Sequence, residues 1–363
     1  MSKIAIIGAG ISGLSAGQIL KEKHSVELFE RASKPGGLVK CDRVNDNLFH
    51  KVGGHVFNSR NQEVLDWFWG FFDRDKEFLK ARRNARILLN GQIVGYPIEN
   101  YLHQLDKETV SRVLDDFIST KSEPKDPFSF ANFADFLKEN FGQTLYEIYF
   151  KPYNEKIWNT DLSNIPLSWL EGKLPMPNLK EMLLSNIVVE EESSMVHSTF
   201  YYAKENGSQF IANRLSEGLT IHFNQEIGLI EKRDGQFWLD ERGGFDHVVY
   251  TGDVRQLHRV FPKFAGSEEL VKALKQLPSN GTSNLFCETD PGDISWLYLP
   301  DSLVKAHRII YTGTFAETNN RGSDRHTCVV EFSGNYSYEF MCEEVKKLPG
   351  NLKPLSFNYE PNS

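Results

Sequence analysis

The chain is poor in the features that mark whole classes of protein. Its 363 residues include four cysteines, Cys41, Cys287, Cys328 and Cys342. They form no Cys-x-x-Cys or matched spacing, so neither a zinc site nor a disulfide framework is indicated. No apolar run reaches the roughly 18 residues a membrane-spanning helix needs. There is no Lys/Arg block either: 41 basic residues against 49 acidic ones leave a net charge of −8, a balance that does not favour nucleic acid. Met1-Ser2-Lys3 leads directly into an apolar segment, without the layout of a secretory leader. Internal repeats and low-complexity segments are also missing. These absences predict a cytoplasmic, reduced, soluble protein, and the reading is of an enzyme. What is present is ordinary for a globular chain, 40% hydrophobic and 25% charged residues, and the length predicts two or three packed units.

The first thirty residues form the clearest unit. Ile4-Ala5-Ile6-Ile7 is a short apolar run of the buried parallel-strand kind. Gly8-Ala9-Gly10-Ile11-Ser12-Gly13 follows at once. Leu14 to Lys23 then predicts a helix with Leu14, Ile19 and Leu20 facing the sheet. Val26 to Glu30 is a second strand. Strand, glycine turn, helix and strand make one βαβ unit. In that context Gly8 permits a tight turn, Gly10 lets backbone approach a pyrophosphate, and Gly13 lets helix and strand pack closely. The helix N-terminus offers free N–H groups to an anion. Glu30 ends the second strand, placed to accept from a ribose hydroxyl.

Further along, Val110, Val113, Leu114 and Phe117 recur with helical spacing. Lys121 to Phe128 carries Pro124 and Pro127 and reads as a loop. Phe133–Phe141 and Thr144–Phe150 predict two helices, the second ended by Pro152. Strands return at Thr220–Phe223, Ile227–Lys232, Gln236–Asp240 and His247–Tyr250, with turns at Asp234-Gly235 and Gly243-Gly244. A second strand-rich stretch runs from Ser283 to Phe332.

Arg31 and Gly36-Gly37 extend the N-terminal motif. Singly they read as a solvated charge and a plain turn. Together, Arg-x4-Gly-Gly after the ribose acid resembles the second fingerprint of FAD-binding proteins of the glutathione-reductase and amine-oxidase type, which favours FAD over NAD.

Other segments are similar to one family. FHKVGGHVFNS (Phe49 to Ser59) resembles the Gly-Gly-His loop beside the flavin in UDP-galactopyranose mutases, and puts Gly54 and His55 at the cofactor. YPIENYL (Tyr96 to Leu102), YFKPYNEKIWNTDLSNIP (Tyr149 to Pro166), DHVVYTGDV (Asp246 to Val254) and Trp296 to Gly313 resemble further pieces of that family in matching order. The resemblance implies an α/β fold: a Rossmann-like FAD-binding domain, a helical insertion and an antiparallel-sheet substrate domain. The implied units are 1–83 and 191–256 for the FAD-binding domain, with 84–98 a segment of the antiparallel sheet. The insertion takes 99–190, the substrate sheet 257–345, and a truncated C-terminal tail 346–363.

The resemblance also implies interconversion of UDP-galactopyranose and UDP-galactofuranose for cell-surface polysaccharide, with reduced flavin N5 as nucleophile on the anomeric carbon. The cofactor then carries the hard chemistry. The implied catalytic set is Lys151, Arg308 and His55. The two cations would take the leaving diphosphate, Tyr153 would donate to a phosphate, and Trp158 would line the sugar or uracil pocket. Implied partners are a nucleotide-sugar substrate, NAD(P)H as external reductant, and a second copy in a homodimer.

One departure stands out: the family has arginine where this chain has Lys151, which keeps the charge but loses the planar fork. Plainer readings exist for each residue. His55 would satisfy a turn, Lys151 would complement a helix dipole, Arg308 would sit on a solvated strand face, and Trp158 would be core. His307, next to Arg308, is expected on the opposite strand face. Two alternatives stay open, an amine-oxidase-like FAD oxidoreductase with another substrate and a non-catalytic flavin-binding remnant.

Overall fold

The computed structural model describes residues 1–119, 130–168, 170, 179–188, 199–263 and 268–361. The loop expected at Lys121 to Phe128 lies outside the described residues.

The N-terminal unit is built on a four-stranded parallel sheet ordered His247–Tyr250, Lys3–Ile7, Ser25–Glu30, Thr220–Phe223. Its inner strand Lys3–Ile7 is apolar from Ile4 onward because both of its faces are covered. Ile4 and Ile6 face one layer with Leu14, Ala212 and Leu215, from the helices Ile11–Leu20 and Gly207–Ser216. Ala5 and Ile7 face the other with Phe29, Leu239 and Phe245. That second layer is a three-stranded antiparallel sheet, Ile230–Arg233, Gln236–Leu239 and Arg242–Phe245. The sheet therefore recruits its outer strands from beyond residue 219, where the chain returns after a long excursion.

The excursion carries the helices Lys107–Ser119, Phe133–Leu145, Lys151–Trp158 and Leu179–Val188. They pack on one face of a seven-stranded sheet ordered Lys353–Glu360, Thr282–Thr289, His326–Ser333, Arg308–Ile310, Trp296–Tyr298, Ala85–Leu89, Gln92–Gly95. Ala85, Ile87, Trp296, Tyr298 and Ile310 face that helical layer. Leu297, Ile309, Val330 and Phe332 face the opposite side, where Met341 and Val345 of helix Tyr338–Val345 close the core. The twofold period of the strands thus sorts each strand into two cores.

Several local expectations are corrected. The first helix runs Ile11–Leu20, and Ile19 is 56% exposed. Pro152 does not stop a helix. It lies in the first turn of Lys151–Trp158, which continues from a π-turn at Tyr146–Phe150, and a first turn tolerates the missing N–H. The real break falls at Gly142 (φ +80°), inside Phe133–Leu145. Gly243-Gly244 belongs to the strand Arg242–Phe245, and the reversal is made at Asp240 (φ +50°). The large sheet is antiparallel except between Ala85–Leu89 and Trp296–Tyr298, which run parallel. Lys353–Glu360, expected in a tail, is its edge strand, paired with Thr282–Thr289.

Candidate active site

The glycine turn is held by backbone contacts. Gly36 N–H donates to Ala9 O at 2.8 Å, which brings the second glycine pair against the first. A Cβ on Gly37 would lie 3.0 Å from Gly10 Cα, and one on Gly13 only 2.0 Å from Gly8 O. Any side chain at Gly13 would push the helix off the strand. Gly10 is different: a Cβ there would meet only Gly37 Cα, at 3.7 Å, so beyond it the turn presents open space. Glu30 is buried, and its carboxylate accepts from Ala9 N–H at 2.8 Å and Ala32 N–H at 2.9 Å, with Lys40 Nζ at 3.7 Å. A carboxylate has about four acceptor positions, so capacity for a hydroxyl remains. Arg31 is exposed beside this turn. A bare backbone face, a helix N-terminus and a buried acid at the second strand's end fit a dinucleotide.

A second cluster lies on the helix-facing side of the large sheet. Tyr298, Arg308 and Glu331 are cross-strand partners in consecutive register, so their side chains stand in one row. Arg308 ion-pairs through Nε with Glu331, which is 1% exposed. Glu331 also accepts from Gly53 N–H at 2.9 Å. A Cβ on Gly54 would lie 2.4 Å from Ile310 Cγ2. The glycine loop carrying His55 is therefore seated on the arginine's own strand and tied to the arginine's own counter-ion.

The electrostatics follow. Burial alone would raise the Glu331 carboxyl, but Arg308 and His307 hold it well below the carboxylate range. Burial opposes the charge on Arg308, and Glu331 restores it, so the guanidinium stays ionised. His307 does not turn away. It precedes the strand, so strand alternation does not govern it, and its Nε2 lies 3.5 Å from Glu331. Burial lowers the His55 pKa, with Glu331 pulling it the other way. Beneath the loop, His50 is pushed down to about 3 by burial. Its Nε2 is 2.7 Å from Tyr202 Oη, its Nδ1 is 3.3 Å from Ser208 Oγ, and His55 N–H also points at that Nδ1 at 3.3 Å.

The helix Lys151–Trp158 divides the remaining candidates. Tyr153 is buried and packs edge-on against Tyr298 at 5.3 Å. Burial and Tyr298 raise its pKa while Arg308 acts in the opposite sense, which sets Tyr153 beside the arginine. Lys151, two residues earlier, is exposed, because positions two apart do not share a helix face. The structure brings Arg308, Tyr153 and the His55 loop together and leaves Lys151 outside that group. Trp158 is half-buried against the helical core, and its carbonyl accepts from Asn280 at 2.7 Å.

Three residues escaped the sequence reading. Lys156 crosses from this helix to donate to Leu299 O at 2.7 Å, Ala306 O at 3.2 Å and Asp301 O, and burial lowers it to about 8. Glu331 had a visible signal, a carboxylate inside the apolar run Cys328 to Phe332. Arg83 had none, being one of two consecutive arginines at a strand end.

Comparison with known proteins finds similar sequences and folds. Residues 6–74 match an NAD(P)-binding Rossmann-like domain. The chain is 26% identical over 258 residues to a probable UDP-galactopyranose mutase of Klebsiella pneumoniae, covering 69% of this chain and 60% of that protein. It is 28% identical over 189 residues to the dTDP-fucopyranose mutase of Escherichia coli, covering 48% and 46%. A coproporphyrinogen III oxidase of Staphylococcus aureus is 21% identical, with 80% and 68% covered. The chain thus spans about 60% and 46% of the length of the two mutases. Among solved structures, a reduced UDP-galactopyranose mutase superposes with a TM-score of 0.87 at 20% identity, over all of this chain and 84% of that one.

Fold and site together define an α/β protein with a Rossmann-like dinucleotide-binding domain. Within that class the chain is similar to UDP-galactopyranose mutases over about two thirds of its length, and it shares the fold of one of them.

Proposed function

We propose that the protein is a FAD-dependent sugar-nucleotide isomerase that interconverts UDP-galactopyranose and UDP-galactofuranose. The observation that carries the reading is the bridge made by Glu331, which holds Arg308 on one side and the Gly53 N–H of the His55 loop on the other. A ring exchange on a nucleotide sugar needs a cation for the departing diphosphate beside the cofactor, and this bridge would keep the two at a fixed distance. Gly8, Gly10, Gly13, Gly36 and Gly37 would hold the FAD pyrophosphate, Arg31 would offset its charge, and Glu30 would take a ribose hydroxyl. Gly54 and His55 would border the isoalloxazine. When bound and reduced, the flavin would supply the nucleophile for the anomeric carbon.

The protein's own residues bind and orient. Arg308 would offer its unpaired guanidinium nitrogens to phosphate oxygens, and Tyr153 its hydroxyl. Lys151 would add a solvent-side charge, and Trp158 would limit the pocket's depth. NAD(P)H would be the reductant, in the cytoplasm, with a homodimer as the assembly. Incubation of UDP-galactopyranose with dithionite-reduced, FAD-loaded protein, followed by product chromatography, tests the reading. UDP-galactofuranose is the expected product, and its absence from protein that retains FAD overturns the proposal. The coverage shared with the coproporphyrinogen oxidase favours a second reading, an FAD oxidoreductase. That reading moves ahead if the flavin-loaded protein binds no UDP.

A further inference from the structure

Arg83 follows the strand Phe78–Arg82 and enters the cleft that holds Tyr153 and Tyr298. Its guanidinium carbon lies 5.1 Å from the ring centre of Tyr96, 5.4 Å from Trp296 and 6.0 Å from Tyr298. One nitrogen donates to the Tyr298 hydroxyl. A guanidinium has five donors, and among the described residues no carboxylate lies within ion-pair distance of this one. Four partly buried arginines elsewhere are matched by a carboxylate: Arg214 with Glu77, Arg255 with Asp253, Arg325 with Asp290, and Arg308 with Glu331. Among the described residues, Arg83 is a half-buried cation whose charge is faced by aromatic rings and the Tyr298 phenol. Such a cage tolerates the cation but leaves most of its planar fork unused.

The position of Arg83 makes the unused fork informative. Tyr298, its one hydrogen-bond partner among the described residues, stands next to Arg308 in the sheet register. Tyr153 packs on Tyr298 and feels both arginines. Two guanidinium groups therefore adjoin the same pair of tyrosines, one neutralised by Glu331 and the other not. Lys151 is exposed on the far side of the helix from Tyr153. An uncompensated planar cation beside hydroxyls suits an oxyanion with two coplanar oxygens.

We propose that Arg83 is a substrate-binding residue that takes an oxyanion of the ligand, and that it supplies the inner second cation of the site in place of Lys151. This rests on the nucleotide-sugar reading for the ligand's identity, though not for the anion affinity itself. The oxyanion would belong either to the diphosphate or to a carboxylate on the sugar.

Calorimetric titration of FAD-loaded wild type, Arg83→Gln and Arg83→Lys with UDP, uridine, UDP-glucuronate and inorganic pyrophosphate separates the outcomes. Arg83→Gln keeps a planar donor for Tyr298 without the charge, and a thermal melt checks that each variant is folded. The expected result is about ten- to a hundredfold weaker UDP and pyrophosphate binding in Arg83→Gln, with a smaller loss in Arg83→Lys and no change for uridine. A loss confined to UDP-glucuronate supports Arg83 and assigns it to a sugar carboxylate. Wild type that binds pyrophosphate through Arg83 but not UDP overturns the nucleotide-sugar reading and keeps the cation's role. Folded Arg83→Gln that binds every probe like wild type overturns the inference.

Discussion

The dinucleotide turn and the cation cleft are made in opposite ways. The turn is assembled from residues 8 to 37, and its parts touch through backbone: Gly36 to Ala9, Gly37 to Gly10, Gly13 to Gly8. The cleft draws Arg83, Tyr153, Tyr298, Arg308 and Glu331 from four separate stretches of chain, and its parts touch through side chains. The first needs the absence of side chains, so its tolerance to substitution is set by space. The second needs matched charges, so its tolerance is set by what each group leaves behind when its partner goes.

The contrast is sharpest at the glycines. Gly13→Val would drive its side chain into Gly8 O, and we expect loss of folded protein on expression, the largest effect of the series. Gly10→Val has room for its Cβ and should fold while filling the space a pyrophosphate would take. Its expected signature is colourless protein with a near-normal melt. Yellow Gly10→Val at full flavin occupancy would break the assignment of the turn.

At the cleft, Arg308→Ala leaves Glu331 buried without its main partner. A loss of about 3–5 kcal/mol is expected from breaking one side of a buried pair, measured by urea unfolding at pH 7. Because Glu331 is held below its ordinary value, its contribution is present above that value and disappears as the pH falls through the lowered one. The difference between wild type and Arg308→Ala should therefore be full near neutrality and shrink below about pH 4. UDP binding should weaken by about 1.5–3 kcal/mol in the same variant, if enough of it folds for titration.

His50 tests the buried shelf between the two regions. Its folded pKa of about 3 lies below the ordinary 6.5, so between those values the unfolded chain binds a proton that the folded one refuses. Stability should fall by about 1.4 kcal/mol for each pH unit below 6.5. His50→Gln should flatten that slope, and an unchanged slope in urea melts between pH 4.5 and 7.5 would remove His50 as its source.

The smallest effect is expected at Lys151. Exposed cations contribute about 0–1 kcal/mol, so Lys151→Ala should change UDP affinity less than fivefold and mainly at low salt. A loss equal to that of Arg308→Ala would mean that the helix turns Lys151 inward when ligand binds. Lys151→Arg should strengthen binding slightly by restoring the fork.

How much of this was legible before the structure differs between the two regions. The βαβ unit was readable because an apolar run, three glycines and a terminal acid lie in one short segment, and each has a local physical meaning. Thr220–Phe223 and His247–Tyr250 were also readable as strands, though not as neighbours of the first two. At Pro152 the local rule misled, because a helix N-terminus and a helix stop look alike from one proline. At the cleft, the resemblance supplied Arg308 and Tyr153, but no local pattern distinguished Arg83 from Arg82 or set Lys151 apart from Tyr153.

The sequence by itself therefore determined the elements whose code is local: the parallel strands, the glycine turn, the acid that ends the second strand. Tertiary structure alone decided which charges meet. The register of Trp296–Tyr298, Arg308–Ile310 and His326–Ser333 aligns Tyr298, Arg308 and Glu331 in a row, and a shift of one residue would send each to the opposite face. An ion pair depends on distance and burial rather than on order in the chain, so its partners become visible only when the sheet closes.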